Sequence, residues 1–365
     1  MTLIERFHLP VQRESGSYIN QMSRDLPPIY FYISQAQLHG QIPESADEYW
    51  EWRVSMRQNF IFMGKFDWTL QTYLHLKDRG FPCMLATVPP REGIVIAHRD
   101  FMNDIPKPNS STLCICLKSD RTPHPFAQIH IIQNPKDRVE GIQEQMSSYF
   151  IPHWVQPALQ PRRNERGEVF ENIAYAGCEI ELAPEFKKKS WQSLLKDMGL
   201  NWSMLTSADI WSNYSQVDAL VAIRKCKAKD REFDYKPATK LYNAWHAGIP
   251  AILGSESAYQ SEKKAEDDYI EANTPEEVIE AVTLLRDSPE LRRRMVENGK
   301  IRAEETGAAE IAQKWESFIV DLAVPVFYRW RQSRWIRQKY LSMRSVQLGL
   351  CFFKHGLSKI ANSVK

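Results

Sequence analysis

Short, uninterrupted apolar runs separated by segments of helical period make up most of this chain. In its first half Ile29–Ile33 (IYFYI), 83–88, 93–97 (GIVIA), 112–118 (TLCICLK) and 127–132 (AQIHII) each read as a strand buried on both faces. Residues 46–58, with Trp50 and Trp52, read as a helix. A second helix runs from Trp68 to Asp78 on the spacing of Leu70, Tyr73, Leu74 and Lys77, and ends at Arg79-Gly80. The second half repeats the alternation, with strands at Ile173–Ala176, 202–205, Asp218–Ile223 (DALVAI), Ile249–Leu253 and near Tyr269–Ala272. Helices fall at 187–198 and 238–247. Thr274 before Pro275-Glu276-Glu277 and Ser288 before Pro289-Glu290 are N-caps with proline in the first helical position. Strands that do not alternate, separated by helices, belong to parallel sheets covered on both faces, so the fold class is α/β.

The alternation breaks at 151–172, where Pro152, Pro157 and Pro161 precede the charged stretch RRNERGE, which is poor material for a buried element. The break divides the chain into a first domain (1–160), a second domain (170–321) and a tail (322–365), consistent with about 100–200 residues per domain. At 43% hydrophobic and 25% charged, the composition excludes disordered, collagen-like and disulfide-scaffold classes. The net charge of +2 hides an asymmetry. Residues 1–321 hold all 45 acidic side chains against 38 Lys and Arg, a net −7, while the last 44 residues carry nine cations and no acid.

The six cysteines form no C-x-x-C pair, and the nine histidines show no ligand spacing, so no metal site is expected. No apolar segment follows Met1 as in a secretory signal, and no run of about 18 apolar residues is long enough to span a bilayer. The expected compartment is the cytoplasm.

Phe233–Tyr259 (FDYKPATKLYNAWHAGIPAILGSESAY) is the most informative stretch. It follows strand DALVAI with a polar loop, opens a helix at Pro237 and closes it at Gly248-Ile249-Pro250. In an open α/β sheet a ligand sits at the carboxyl ends of the strands, and an anion favours a helix N-terminus. Lys236, Thr239 and Lys240 offer two cations and a hydroxyl there, and Arg224 follows the strand at the same edge, the equipment a diphosphate needs. On spacing alone a solvated surface helix fits the same residues. D-x-D, G-x-G-x-x-G and G-x-x-x-x-G-K-[ST] are all absent, which disfavours metal-dependent transfer, dinucleotide binding and P-loop chemistry.

KPATKLYNAWHAGIPAILGSESAY resembles the donor-nucleotide region of GT-B fold glycosyltransferases, with a C-terminal domain similar to that of bacterial group 1 and 4 enzymes. YFIPHWVQP, NIAYAG and TPEEVIEAVTLLRDSPELRRRMVENG extend the resemblance over roughly residues 149–320. It implies two Rossmann-like, doubly wound domains facing a cleft, with a C-terminal helical tail. It also implies a hexosyltransferase-type enzyme that moves a sugar from a nucleotide-diphosphate donor in the second domain to a glycan or lipid-linked acceptor hydroxyl at the first. No cofactor or metal is implied, the nucleotide sugar being a co-substrate. Carried over, Lys236, Thr239 and Lys240 meet the diphosphate, Asn243 falls where many retaining members hold the ribose, and Ser255 and Glu256 lie near ribose or sugar. The chain departs from the family in two places. Tyr235 and Asn243 stand where retaining members carry two glutamates, and Cys178-Glu179-Ile180-Glu181 replaces the Arg and Lys that follow the equivalent of Gly177. Retention or inversion is therefore open, with Glu256 the alternative ribose carboxylate.

An inverting enzyme needs a base. His39, after the first strand, and Asp67, at the start of the first periodic helix, are the candidates; His98, Asp100, Asp120 and His124 follow later strands. His130 and His246 read as core histidines. A nucleotide-sugar epimerase on the same fold, or an inactive GT-B-like scaffold recruited by its tail, are the alternative functions. The tail mixes its cations with Phe327, Tyr328, Trp330, Trp335 and Tyr340, and Phe353, Leu357, Ile360 and Val364 form an apolar stripe. Two readings stand together for it, contact with an anionic membrane surface and packing back on the first domain. Nucleic acid ranks last, because no module that binds it is visible.

Overall fold

The structure, a computed structural model, describes residues 26–38, 40–56, 64–137, 147–207, 210–224 and 233–346. The first half builds a six-stranded sheet from β1 (Ile29–Tyr32), β2 (Met84–Ala86), β3 (Gly93–His98), β4 (Thr112–Leu117), β5 (Ile129–Ile132) and β6 (Ser147–Phe150). Every pairing is parallel, in the order β2-β1-β3-β4-β5-β6. Helices α1 (Tyr49–Ser55) and α2 (Gly64–Asp78) follow β1. The edge strand β6 begins on two serines and has no apolar run. Its register on β5, from Ile129 opposite Ser147 to Ile132 opposite Phe150, is what makes it a strand.

The chain crosses to a second parallel sheet, of β7 (Asn172–Ala176), β8 (Asn201–Leu205), β9 (Ala219–Ala222), β10 (Ala251–Leu253) and β11 (Ile270–Glu271), in the order β11-β10-β9-β7-β8. Its helices are α3 (Lys189–Asp197), α4 (Thr239–Ala247), α5 (Ser257–Glu262), α6 (Pro275–Asp287) and α7 (Pro289–Glu305). Thr274 and Ser288 cap α6 and α7, accepting from the amides of Glu277 and Leu291 as their sequence pattern requires. Gly248 ends α4 in the left-handed region, at φ 67°.

Three more helices close the molecule: α8 (Ala308–Ser317), α9 (Val324–Gln332) and α10 (334–346), with a π-helical turn, Phe318–Ala323, joining the first two. They run back to the first sheet. Alternate residues of its strands point to opposite faces. On one face Phe31, Ile94, Ile96, Leu113 and Ile115 pack with Trp68 and with Ile311, Trp315, Phe318 and Phe327 of the returning helices. On the other, Tyr32, Val95, Ala97, Cys114 and Cys116 pack with Trp52, Phe66 and Leu70. Trp330 donates its indole N–H to the Asn109 carbonyl (2.6 Å), and the Tyr340 hydroxyl donates to that of Ala127 (2.8 Å). Residues 324–346 thus pack on the first domain, while the apolar stripe at 353–364 lies outside the described residues.

In both sheets the connections leave the first strand in opposite directions, β1 lying between β2 and β3, and β7 between β8 and β9. Such a switch point opens a crevice beyond the carboxyl ends of the two diverging strands. The carboxyl edges of the two sheets face each other. The Gln133 amide donates to the Tyr235 carbonyl (2.8 Å), and that of Asn134 donates to Ser257 Oγ (3.0 Å) across the cleft.

Candidate functional site

At the second switch point four chain segments converge: the turn after β7, the end of β9, the loop after β10 and the start of α4. Arg224 leaves β9 and donates from Nε to Glu256 Oε2 (2.8 Å); its Nη1 meets Glu181, on the turn Glu179–Glu181 after β7. Lys236 Nζ bridges Glu181 (3.1 Å) and, across the cleft, Asp120 (3.4 Å). Glu256 is 5% exposed, and its Oε1 is buried with no donor among the described residues. No side chain caps the start of α4, where Thr239 and Lys240 stand in the first turn.

Lys240 has no carboxylate within ion-pair distance among the described residues. Its ammonium lies 5.7 Å from the centre of the Tyr175 ring. Gly177 makes room for it: φ there is 141°, and a Cβ would meet Lys240 Cε at 3.1 Å and the Tyr175 hydroxyl at 3.2 Å. Burial pushes the Lys240 ammonium down to about 7, and the charges of Arg224 and Lys236 add to the fall against the pull of Glu256. A cation held in this way, beside a helix N-terminus, is matched to an incoming anion.

Arg224, Lys236, Thr239, Lys240 and Glu256 therefore share one cluster. Asn243 turns away from it. It is buried, its Oδ1 accepting the Gln156 amide (3.0 Å) and its Nδ2 reaching the Tyr214 hydroxyl (3.4 Å), so it anchors the crossover segment instead of facing the cleft. Ser255 is tied through its amide (3.0 Å) and hydroxyl (2.7 Å) to Asn273. Asp67 accepts from Arg53 (2.9 and 3.2 Å) and from the Tyr49 hydroxyl. Burial alone would raise its carboxyl, but Arg53 and Tyr49 hold it below the usual carboxylate range. A carboxylate so saturated pins α1 to α2 and is a poor proton acceptor, which corrects its reading as a base. His39 lies outside the described residues.

At the first switch point, His98 ends β3. Its Nδ1 accepts the Asp100 amide (3.1 Å), so the neutral ring carries its proton on Nε2. Burial pushes it down to about 4, against the pull of Asp100. Asp100 is held by both arms of Arg121 (3.0 and 3.2 Å). His124 donates its amide to His130 Nε2 (3.0 Å), and His130 is fully buried, a core histidine as its alternation implies. His246 is partly buried against Thr306.

A groove of about 890 Å³ opens at the opposite edge of the second sheet, beside Arg162, Asp218, His246 and Arg292. Two of its cations are engaged, Arg162 by Asp218 (2.8 Å) and Arg292 by the carbonyls of Leu285, Arg286 and Glu168 (2.6–3.0 Å). The carbonyl end of α4 also faces it, which disfavours an anion. Chemistry and topology both point to the cleft instead. Among the described residues no three His, Cys, Asp or Glu side chains gather as a metal site, and no helix is long and apolar enough to cross a membrane.

Two parallel sheets meeting at their carboxyl edges, closed by helices that return to the first, define the architecture. The fold is GT-B. No family model matches the chain, and no curated protein matches it. Solved structures do. A sucrose-phosphate synthase from Thermosynechococcus elongatus aligns at 12% identity and TM-score 0.44 over 73% of this chain and 79% of its own. Anabaena HepE in complex with UDP aligns at 11% and 0.45 over 81% and 100%. AviGT4, a glycosyltransferase involved in avilamycin A biosynthesis, aligns at 14% and 0.41 over 70% and 88%.

Proposed function

We propose that this protein is a glycosyltransferase that takes a sugar from a nucleotide-diphosphate donor held at the second switch point and passes it to an acceptor hydroxyl presented by the first. The observation that carries the reading is Lys240, a lysine without a counter-ion among the described residues, beside Arg224 at the uncapped start of α4. As the glycosidic bond to the donor breaks, negative charge builds on the leaving diphosphate. Lys240 and the first amides of α4 are donors in position for that charge, with Arg224 and Lys236 beside them. The cations do the work that a divalent metal does elsewhere, so transfer is metal-independent in this reading. Glu256, with one oxygen engaged and the other without a donor among the described residues, accepts from a donor hydroxyl.

His98 orients the acceptor as a hydrogen-bond donor through Nε2. The acceptor is a glycan or a lipid-linked saccharide. Peripheral association with an anionic inner membrane face, in a cytoplasmic protein, belongs to the same reading. It is supported by the exposed cations Arg329, Arg331, Arg334 and Lys339 and the exposed Trp335 on the tail, with Lys339 Nζ 5.0 Å from the centre of the Trp335 ring.

A thermal-shift and calorimetry panel of UDP, GDP, ADP and dTDP tests the core of the proposal. One of them stabilises the wild-type protein, and Lys236→Ala with Lys240→Ala weakens that binding at least a hundredfold while the ligand-free melting temperature moves little. Loss of two charge-assisted contacts of about 1.5–3 kcal/mol each sets that scale. Retained affinity in the double variant, or no response to any of the four, contradicts it.

A further inference from the structure

Among the described residues three cations line the cleft side of the second sheet, Arg224, Lys236 and Lys240, and three carboxylates, Glu181, Glu256 and Asp120, lie against the first two. A diphosphate that reaches Arg224 and Lys236 has to compete with the carboxylates already on them.

The three carboxylates differ in how firmly they are held. Glu256 is 5% exposed and fixed at the end of β10 by Arg224. Asp120 belongs to the opposite sheet and touches only one of the cations, Lys236. Glu181 touches two, Arg224 and Lys236. It sits on a single-turn segment with no capping side chain, next to the exposed Ile180, and its own side chain is 28% accessible. It alone combines a short path to water with contact to the cations a diphosphate needs.

We infer that Glu181 is a tethered stand-in for the donor diphosphate, occupying its seat on Arg224 and Lys236 and leaving when the nucleotide enters. This inference rests on the donor-site reading above. Its consequence is selectivity by charge. Displacing Glu181 takes a ligand that returns at least as much charge to both cations, which a diphosphate does and a neutral nucleoside does not.

The test is calorimetric titration of wild-type protein, Glu181→Gln and Glu181→Ala with UDP, GDP, ADP and dTDP, and with inorganic pyrophosphate as a probe without a base. Removing the competing charge tightens the diphosphate that the wild type binds, and pyrophosphate with it, about tenfold in both variants. Uridine and the other free nucleosides gain nothing. Wild-type binding that is unchanged or weakened in both variants overturns the inference and leaves the donor reading standing. Binding of none of these ligands by any of the three proteins overturns both.

Discussion

A lysine set against Tyr175 and Gly177, with Arg224 and Lys236 nearby, holds its proton only to about 7, so the proposed donor binding should depend on pH. An incoming diphosphate favours the charged amine and so raises its affinity for the proton. Below pH 7 the free protein already carries that proton, and Lys240 adds no pH dependence. Above pH 7 the free amine is neutral while the complex keeps it charged, so binding takes up a proton and the affinity falls by up to tenfold per pH unit. Calorimetry between pH 7 and 8.5, in buffers of different ionisation heat, reads this directly as uptake approaching one proton. Flat affinity without proton uptake contradicts it.

At this scale the sequence was partly legible. Lys236, Thr239 and Lys240 stand out because a polar loop before a helix start is a local pattern. The distractors Asn243 and Asp67 look equally polar in sequence. Only the partners that tertiary structure brings them, Gln156 and Tyr214 for one, Arg53 and Tyr49 for the other, show that they are already engaged. Glu181 was visible as a departure from the family pattern, but not as a partner of Arg224.

At the scale of elements, the site depends on how closely the end of β7 approaches α4. Gly177 sets that approach, at a φ of 141° that side-chain-bearing residues rarely adopt, with Lys240 Cε at 3.1 Å from where a Cβ would stand. Gly177→Ala carries roughly 1–3 kcal/mol of backbone strain and pushes the lysine from its place. The expected result is a diphosphate affinity at least tenfold weaker, with a melting temperature lowered by a few degrees. Unchanged affinity would mean that Lys240 is not part of the seat.

The elements themselves were largely readable, because buried parallel strands are continuous apolar runs and α6 and α7 announce themselves by Thr274-Pro275 and Ser288-Pro289. Strand β6 was not. Its serines carry no strand signal, and it exists because β5 offers a free edge. Helix α4 begins at Thr239, two residues beyond the proline that marks it in sequence.

For the whole molecule, residues 324–346 of the basic tail are part of the fold. Phe327 and Trp330 are each about 3% exposed, and burying two such side chains contributes roughly 3–6 kcal/mol, a large share of the 5–15 kcal/mol that holds a typical domain. Truncation after Asp321 should therefore destabilise the first domain strongly, seen as a lowered or lost melting transition; a truncated protein that melts like the full chain would contradict this packing. The outward cations are a separate matter. Reversing Arg329, Arg331, Arg334 and Lys339 to glutamate should leave folding intact and abolish sedimentation with vesicles containing phosphatidylserine. Equal sedimentation with neutral vesicles, or none by the wild type, would remove the membrane from the account. Sequence alone left lipid contact and packing side by side, since a helix that is cationic all round does not say which face meets a partner until the first sheet supplies Asn109 and Ala127.

The central claim is that the cleft at the second switch point holds a nucleoside diphosphate. A crystal structure with the tightest-binding of the four diphosphates tests it most directly. The account predicts phosphate oxygens about 3 Å from Lys240 Nζ and from the first amides of α4, with Glu181 withdrawn from Arg224. A diphosphate lodged elsewhere, such as in the groove beside Arg162 and His246, or in the cleft but out of reach of Lys240, would contradict it.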